Sequence, residues 1–285
     1  MDRTKIIGCL IALLLASCSR PPHIVVGSKN FTEQILLGEI LAQQIERRLG
    51  VTVERKLNLG GTLLAHEALV SGAIDLYAEY TGTALTAVLK QPVSRDPAAV
   101  LSTVRSEYAR QWRLEWLDPL GFNNTFAMIV RGDAARDNKL ATISDAARLR
   151  AWKLGAGYEF KQRPDGLDGL LRTYNLRTEG EPVTMDLGLL YSALQKRQVD
   201  LIAASSTDGL ISVLDVTLLQ DDKQYFPPYQ CVPVVRAETL TRFPQLKQAI
   251  NELAGKLTDS SMSKLNYAID GHHRPPSQIA SEFLK

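Results

Sequence analysis

The sequence has 285 residues, of which 45% are hydrophobic and 22% charged, and its formal net charge is +2. A chain of this length and composition can bury a sizeable core and is long enough for two lobes. Its near balance of scattered acidic and basic residues excludes a polybasic tract for nucleic acid or for a membrane surface, so no nucleic-acid partner is expected.

The first 22 residues have the features of a lipoprotein leader. Arg3 and Lys5 precede an apolar run over residues 6–16, which is too short for a permanent transmembrane helix. Cys18 stands directly after Leu-Ala-Ser, which resembles a bacterial lipobox. We expect residues 1–17 to be a signal peptide, Cys18 to be the lipidation site and residues 18–22 to be a lipidated spacer. The mature protein should then be anchored to a membrane from outside, in the periplasm or at the cell surface.

Cysteine chemistry is not expected in the mature chain. Cys9 leaves with the signal peptide and lipid blocks Cys18, so Cys231 is the one remaining thiol and no intramolecular disulfide can form. Such a lone cysteine, flanked by Gln230 and Val232, is expected to be a small buried hydrophobic residue and not a nucleophile.

The mature chain begins with alternating strand and helix patterns. The expected strands cover residues 23–28, 51–57 and 74–80, and the expected helices cover residues 33–49 and 63–71. Thr32 and Thr62 are expected to cap the two helices, and Gly50 to end the first. This alternation is typical of a mainly parallel α/β sheet.

Three loops follow the carboxyl ends of these strands, where open α/β sheets bind ligands. They contain Lys29, Gly60-Gly61-Thr62 and the segment from Tyr80 to Thr83. The strand that ends at Tyr80 runs into a helix N-terminus, whose free backbone N–H groups can hold an anion. Tyr77 and Tyr80 offer aromatic faces that attract quaternary ammonium groups. The segment therefore suits a betaine-like zwitterion, although the two tyrosines could instead only pack the end of the strand.

The rest of the chain predicts a second α/β unit and a return to the first. Strands and helices alternate over residues 125–203, a strand covers residues 231–236, and two or more helices fill residues 239–285. We predict two α/β lobes, with lobe 1 formed by residues 23–122 and 228–285 and lobe 2 by residues 123–227. Two crossings near residues 121–125 and 223–229 would leave a ligand cleft that hinge closure can shut.

Five blocks of this sequence resemble the substrate-binding proteins of osmoprotectant ABC importers, the quaternary-amine uptake family. The blocks are Gly27-Ser28-Lys29-Asn30-Phe31-Thr32-Glu33-Gln34, Gly60-Gly61-Thr62, Asp75-Leu76-Tyr77-Ala78-Glu79-Tyr80-Thr81-Gly82-Thr83, Gly121-Phe122-Asn123-Asn124-Thr125 and Ser206-Thr207-Asp208-Gly209. Members of this family bind glycine betaine, proline betaine, choline or carnitine. The resemblance implies the two-lobed type II periplasmic-binding-protein fold from about residue 24 to the C-terminus.

The resemblance also implies roles for individual residues. In the family, tyrosines form a cage around the trimethylammonium group, while a lysine, a threonine and an arginine hold the carboxylate. By motif, the residues expected at the carboxylate are Lys29, Thr83 and Arg163, and those expected in the cage are Tyr80 and Tyr229. Asn124, within its matched block, is expected to bind ligand as well.

Two expected ligand-binding positions depart from the family pattern. Phe126 replaces a tyrosine and keeps its π face, whereas Ser205 replaces a tyrosine and loses the ring. The loss should weaken the hold on a trimethylammonium group by roughly 0.5 to 2 kcal/mol and leave room for a bulkier betaine. Lys29 and Arg163 would face a purely cationic ligand unpaired, so we rank carboxylate-bearing quaternary amines above choline.

The expected function is capture of a betaine-like quaternary ammonium compound and its delivery to an ABC permease driven by a separate ATPase. A sensory binding protein of the same fold, for another small zwitterion or anion, stays as an alternative. An enzyme is not expected, because no Gly-x-Ser-x-Gly elbow accompanies Ser205 and Asp208. No cofactor or metal is expected, since His272 and His273 lack companion ligands. A monomer is expected.

Overall fold

The computed structural model describes residues 23–285, so the expected signal peptide, Cys18 and the spacer before His23 lie outside the described residues. Within residues 23–285, no helix combines the length and the apolarity needed to cross a bilayer. Ten strands form two five-stranded sheets in this part of the chain, with helices around both.

The first part of the chain supplies four strands of the first sheet and the helices between them. The elements are β1 (Ile24–Gly27), α1 (Thr32–Leu49), β2 (Val53–Lys56), α2 (Thr62–Val70), β3 (Leu76–Tyr80), α3 (Thr81–Thr83), a π-helical turn (Ala84–Val88), α4 (Pro97–Trp112) and β4 (Leu114–Trp116). Helix α1 ends at the predicted residue and begins one residue earlier than predicted. Leu36, Ile40 and Leu41 on its inner face are buried, and Gly50 ends it in the left-handed region at φ 65°.

The middle part of the chain forms the second sheet. The elements are β5 (Phe126–Arg131), α5 (Gly132–Asn138), α6 (Ile143–Leu149), β6 (Leu154–Ala156), α7 (Tyr158–Gln162), α8 (Leu167–Tyr174), β7 (Val183–Thr184), a 3-10 turn (Leu187–Leu189), α9 (Leu190–Gln195), β8 (Leu201–Ser205), a second 3-10 turn (Gly209–Ser212) and β9 (Val216–Leu219). The sequence did not predict β9, a short strand whose residues are mostly only half-buried.

The last part of the chain returns to the first sheet. The elements are β10 (Cys231–Arg236), α10 (Ala237–Arg242), α11 (Leu246–Asn251), α12 (Asp259–Asp270) and α13 (Pro276–Phe283). Strand β10 lies between β3 and β4 and is antiparallel to both. Two links, residues 117–125 and 220–230, therefore connect the sheets.

The strand orders are β2-β1-β3-β10-β4 in the first sheet and β7-β6-β8-β5-β9 in the second. Each sheet has a parallel core and antiparallel pairing where the links enter, and each has buried apolar clusters. This confirms the predicted α/β fold class. The unit built on the first sheet is lobe 1, and the unit built on the second sheet is lobe 2.

The prediction that Thr32 and Thr62 cap α1 and α2 is wrong. Phe31 and Gly61 occupy the N-cap positions, so each threonine is the first helical residue. Neither hydroxyl caps the N-terminus of its own helix. Thr32 donates its hydroxyl to Asp270, and the Thr62 hydroxyl accepts a hydrogen bond from Lys29 Nζ.

Candidate ligand-binding site

A cleft of about 700 Å³ lies between the two lobes. Residues that follow the carboxyl ends of β1 and β3 line one side, and residues of β5, β8 and α7 line the other. The eight residues expected to bind ligand all line it: Lys29, Tyr80, Thr83, Asn124, Phe126, Arg163, Ser205 and Tyr229.

Lys29 is held by a carboxylate beneath the cleft. Its Nζ donates to Glu79 Oε1 at 2.5 Å and to Thr62 Oγ1 at 3.0 Å, and it lies 5.1 Å from the centre of the Tyr80 ring. Glu79 is fully buried on β3, where it also accepts hydrogen bonds from the Tyr77 hydroxyl and the Tyr80 N–H. An ammonium group has three donors, so one N–H of Lys29 stays free for a ligand.

Arg163 is held in a similar way on lobe 2. Its Nε and Nη2 form a bidentate pair with Asp165, at 2.9 and 2.5 Å, and its Nη1 donates to Thr83 Oγ1 of lobe 1 at 3.0 Å. Asp165 is fully buried and accepts the Tyr229 hydroxyl at 2.5 Å. Burial opposes ionisation of Asp165, but the Arg163 guanidinium outweighs it and holds the pKa of that carboxyl below its ordinary value. Two of the five N–H groups of Arg163 remain for a ligand.

These pairs correct one argument made from the sequence. Lys29 and Arg163 do not present unpaired positive charge to the cleft, because Glu79 and Asp165 neutralise them. Both side chains can still donate hydrogen bonds to a carboxylate, but repulsion between them and a cationic ligand is largely removed. The expected disadvantage of choline is therefore smaller than the sequence indicates.

Aromatic rings line both sides of the cleft. Tyr80 stacks on Phe31 in lobe 1. Phe126 has its ring centre 4.8 Å from that of Phe160 and 5.9 Å from that of Tyr229, and the Arg163 guanidinium lies 5.0 Å from the Phe126 ring centre. These π faces can attract a quaternary ammonium group.

Ser205 lies beside this aromatic wall. It pairs directly with Phe126 across the antiparallel strands β5 and β8, so the two residues are nearest neighbours on one sheet. Ser205 places no ring beside Phe126, and both residues line the cleft.

The buried carboxylate of Glu33, in the first turn of α1, collects four donors. It accepts hydrogen bonds from the Tyr80 hydroxyl at 2.6 Å, Asn124 Nδ2 at 2.8 Å, the Thr207 hydroxyl at 2.5 Å and Asn266 Nδ2 at 2.9 Å. Burial raises the pKa of Glu33, and the four hydrogen bonds oppose that rise. This Glu33 cluster joins both lobes, one link between them and α12.

A second carboxylate connects the lobes at the opposite side of the cleft. Glu159 of α7 accepts hydrogen bonds from the Thr62 backbone N–H and, at 3.1 Å, from the Thr62 hydroxyl. Thr62 is the first residue of α2, so the Glu159 carboxylate lies at a helix N-terminus, where negative charge is stabilised. A Cβ at Gly61 would overlap the same carboxylate, so a larger residue there would force the Glu159 side chain to move.

Asp208 follows β8 and lines the cleft. It accepts hydrogen bonds from the Tyr191 hydroxyl at 3.0 Å and the Ser205 N–H at 3.2 Å. Burial raises its pKa from an ordinary value of 3.8 to about 7, against the effect of these two donors.

We expect Asp208→Asn to stabilise the ligand-free protein at pH 8. Between pH 4 and 7 the folded form holds a proton that the unfolded chain has lost, so the Asp208 contribution to stability falls as pH rises through this window. Asn keeps an oxygen that accepts the same two hydrogen bonds and carries no charge. The gain in unfolding free energy should be about 1–3 kcal/mol at pH 8 and close to zero near pH 4, measured by urea denaturation.

Asp186→Asn is the matched control for this measurement, because Asp186 lines the same cleft but is exposed. It should leave stability within about 0.5 kcal/mol of wild type at both pH values. A gain for Asp208→Asn that is equally large at pH 4 and pH 8 would contradict titration of Asp208 as its cause.

Sequence analysis missed the partners of the ligand-facing side chains. Glu79 was detectable, since a carboxylate in an otherwise apolar strand needs a partner and Lys29 ends a neighbouring strand. Asp165 was also detectable, two residues after Arg163. No sequence pattern indicated Asn266 as a partner of Glu33, because the two residues are 233 positions apart in the chain.

Two α/β lobes, two links and an interlobe cleft with rings and hydrogen-bond donors define a solute-binding protein of the two-lobed periplasmic class. The chain belongs to the family described as the substrate binding domain of ABC-type glycine betaine transport systems, whose model matches residues 22–285. This confirms the family resemblance of the five sequence blocks.

Individual relatives agree with this assignment. The chain is 35% identical over 285 residues to a carnitine transport binding protein of Listeria monocytogenes, covering 96% of this chain and 92% of that protein. It is 33% identical over 266 residues to an ergothioneine transport permease/ergothioneine binding protein of Helicobacter pylori, covering 92% of this chain and 47% of that longer protein. A crystal structure described as a glycine betaine/carnitine/choline ABC transporter has a TM-score of 0.77 and 32% identity, covering 92% of this chain and 97% of that one.

Proposed function

We propose that this protein captures a quaternary ammonium compound that also bears a carboxylate, and delivers it to an ABC permease driven by a separate ATPase. One observation supports the ligand class above others. The cleft places the rings of Tyr80, Phe126 and Tyr229 beside the free N–H groups of Lys29 and Arg163. A quaternary ammonium group cannot donate hydrogen bonds and is held by π faces, whereas a carboxylate accepts the remaining N–H groups.

The two lobes are in contact across this site, where Arg163 donates to Thr83 and Thr62 donates to Glu159. Lys29, Tyr80 and Thr83 belong to lobe 1, and Phe126 and Arg163 belong to lobe 2. A ligand that contacts both sets of residues stabilises the closed form over the open form. The permease would then receive the protein in its closed form. Tyr229 lies on the link between the lobes and contacts ligand in either form.

The ligand is proposed to be larger than glycine betaine. One relative is named for carnitine and another for ergothioneine, both of which extend beyond a bare trimethylammonium acetate, whereas a third, 35% identical, is named for glycine betaine. Ser205 leaves space beside Phe126 in a cleft of about 700 Å³, where a ring or chain of the ligand would lie. A structure with glycine betaine enclosed tightly and no cavity beside Ser205 would contradict this size preference.

We propose that lipid on Cys18 anchors the protein to the membrane, with residues 18–22 as the spacer. Cys18 lies outside the described residues. Anchoring keeps a monomeric binding protein close to its permease at the outer side of the membrane. Replacement of Cys18 by serine should release the protein from the membrane fraction, and retention there would contradict the anchor.

The ligand class is tested by calorimetric titration of lipid-free residues 19–285. The ligands are glycine betaine, proline betaine, carnitine, choline and a larger ring-bearing betaine. We expect saturable one-to-one binding of at least one carboxylated quaternary amine, and tighter binding of the larger ones. If none of the five binds to the folded protein, the site is instead a receptor for another small zwitterion or anion.

A further inference from the structure

Glu159 joins the two lobes through both of its carboxylate oxygens. Its Oε1 accepts the backbone N–H of Thr62, and its Oε2 accepts the Thr62 hydroxyl at 3.1 Å. Glu159 belongs to α7, which lies between two strands of the second sheet, whereas Thr62 begins α2, which lies between two strands of the first sheet. Any rotation that separates the lobes at this point must therefore break both hydrogen bonds.

Thr62 offers two donors that suit a carboxylate. As the first residue of α2, it has a backbone N–H group with no acceptor within its own helix. Its hydroxyl accepts a hydrogen bond from Lys29 Nζ at 3.0 Å, which leaves the hydroxyl proton for Glu159. Hydrogen bonds to an ionised carboxylate are stronger than neutral ones, and the helix N-terminus adds a favourable dipole. The contact therefore favours the arrangement in which the lobes meet.

Exposure to water distinguishes Glu159 from Glu33, the other carboxylate that joins the lobes. The Glu159 side chain is 41% exposed, whereas Glu33 is buried and accepts a hydrogen bond from Asn124, which lies in a link between the lobes. Water can hydrate the Glu159 carboxylate when its contact breaks, so opening at this point leaves no buried charge without a partner. The Glu159 contact can therefore break and form again at a low cost in free energy.

We infer that Glu159 is a positioning residue, which holds the lobes together around the ligand and so determines how long the ligand stays bound. This inference rests on the proposed function, because it needs a ligand that binds between the lobes. Glu159 acts on the equilibrium between the closed and open forms and not on the ligand. Since binding of each ligand to the closed form includes the same free energy of closure, loss of the contact weakens all ligands by one common factor.

Glu159→Ala tests this inference with glycine betaine, carnitine and choline. In calorimetric titration, each ligand that binds wild-type protein should lose affinity by the same factor, about tenfold, the order expected for exposed hydrogen bonds to a charged group. The ratios between ligands should stay within about twofold of wild type. The variant also removes a charge 4.0 Å from Arg163 Nη1, but Asp165 still pairs with that guanidinium.

The rate of ligand release gives a second readout. A contact that holds the closed form together slows dissociation, so most of the affinity loss in Glu159→Ala should appear as faster release of radiolabelled glycine betaine in a chase experiment. Glu159→Gln keeps an oxygen that can accept the Thr62 N–H, and it should recover part of the affinity and of the slow release. Glu181→Ala, which removes an exposed glutamate of lobe 2 near Lys161, should change neither quantity.

Thr62→Pro removes the same contact from the other lobe. Proline has no N–H and no hydroxyl, and it is favoured at the first position of a helix, so α2 can keep its start. This variant also takes an acceptor from Lys29, so the informative comparison is made within it. Addition of Glu159→Ala to Thr62→Pro should weaken binding by less than about twofold, because the contact is already absent.

Four results decide the inference. Wild-type affinity in Glu159→Ala would overturn it, and so would a tenfold effect that persists in the Thr62→Pro background. Losses that differ by more than twofold between ligands would overturn it as well, because they would indicate direct contact between Glu159 and the ligand, whose cleft this residue lines. Each of these results leaves the proposed function intact, since wild-type protein still binds ligand. Absence of binding for all three ligands by folded wild-type protein would overturn the proposed function and this inference with it.

Discussion

Lys29→Met should destabilise the ligand-free protein by about 3–5 kcal/mol at neutral pH, the typical cost of leaving one partner of a buried ion pair alone. Glu79 is fully buried, and Lys29 is its cationic partner at 2.5 Å. The Tyr77 hydroxyl and the Tyr80 N–H would still donate to the carboxylate, but neither supplies positive charge. Urea denaturation without ligand measures the change.

Two further variants give this measurement its controls. Lys29→Met combined with Glu79→Gln should recover most of the lost stability, because the uncompensated charge is gone. Lys56→Met removes a partly exposed lysine on the neighbouring strand β2 and should change stability by less than about 0.5 kcal/mol. If the Lys29→Met protein were as stable as wild type but no longer bound ligand, Lys29 would contribute to ligand binding and not to stability.

Arg163→Ala should weaken binding of carboxylated quaternary amines by about 30-fold or more, since truncation of a buried hydrogen-bonded charge costs about 2–5 kcal/mol. Three contributions would disappear together. These are the two free N–H groups for the ligand, the contact with Thr83 across the lobes, and the cation over the Phe126 ring. The last two contributions affect every ligand, so choline should also bind more weakly. Its loss of affinity should be smaller than that of glycine betaine.

Calorimetric titration of both ligands measures this difference. Arg163→Lys should recover only part of the loss, because an ammonium group cannot reproduce the bidentate pair with Asp165. Arg136→Ala, which removes an exposed arginine of lobe 2 paired with Asp215, should leave both affinities unchanged. Equal losses for glycine betaine and choline in Arg163→Ala would contradict a carboxylate-binding role for Arg163.

Local sequence patterns predicted the fold class, whereas most of the cleft residues were predicted from the family resemblance. Helix α1 follows from its apolar periodicity and from Gly50, and Lys29 and Tyr80 come together because parallel strands end at one sheet edge. The lobe boundaries and the ligand-binding roles stay predictions.

Charge compensation in the cleft left only partial signals in the sequence, at Glu79 and Asp165. Lys29 and Glu79 are 50 residues apart, and the approach of Asn266 to Glu33 depends on how α12 packs across both lobes. Sequence patterns identify which side chains carry charge, but only the three-dimensional arrangement determines which charges cancel. This is why the residues of the cleft were foreseen while its electrostatic character was not.

The burial of Cys231 has a practical consequence for measuring lobe motion in solution. Its thiol is buried on β10, where Cys231 pairs with Tyr80 of β3, and burial raises its pKa, so maleimide dyes should not react with it in the folded protein. Lipid-free residues 19–285 contain no other cysteine. Cysteines introduced at exposed positions of the two lobes, such as Ser106 and Thr173, would therefore be the reactive thiols. Fluorescence energy transfer between dyes at these two sites would report each opening and closing of single molecules without alteration of the native core.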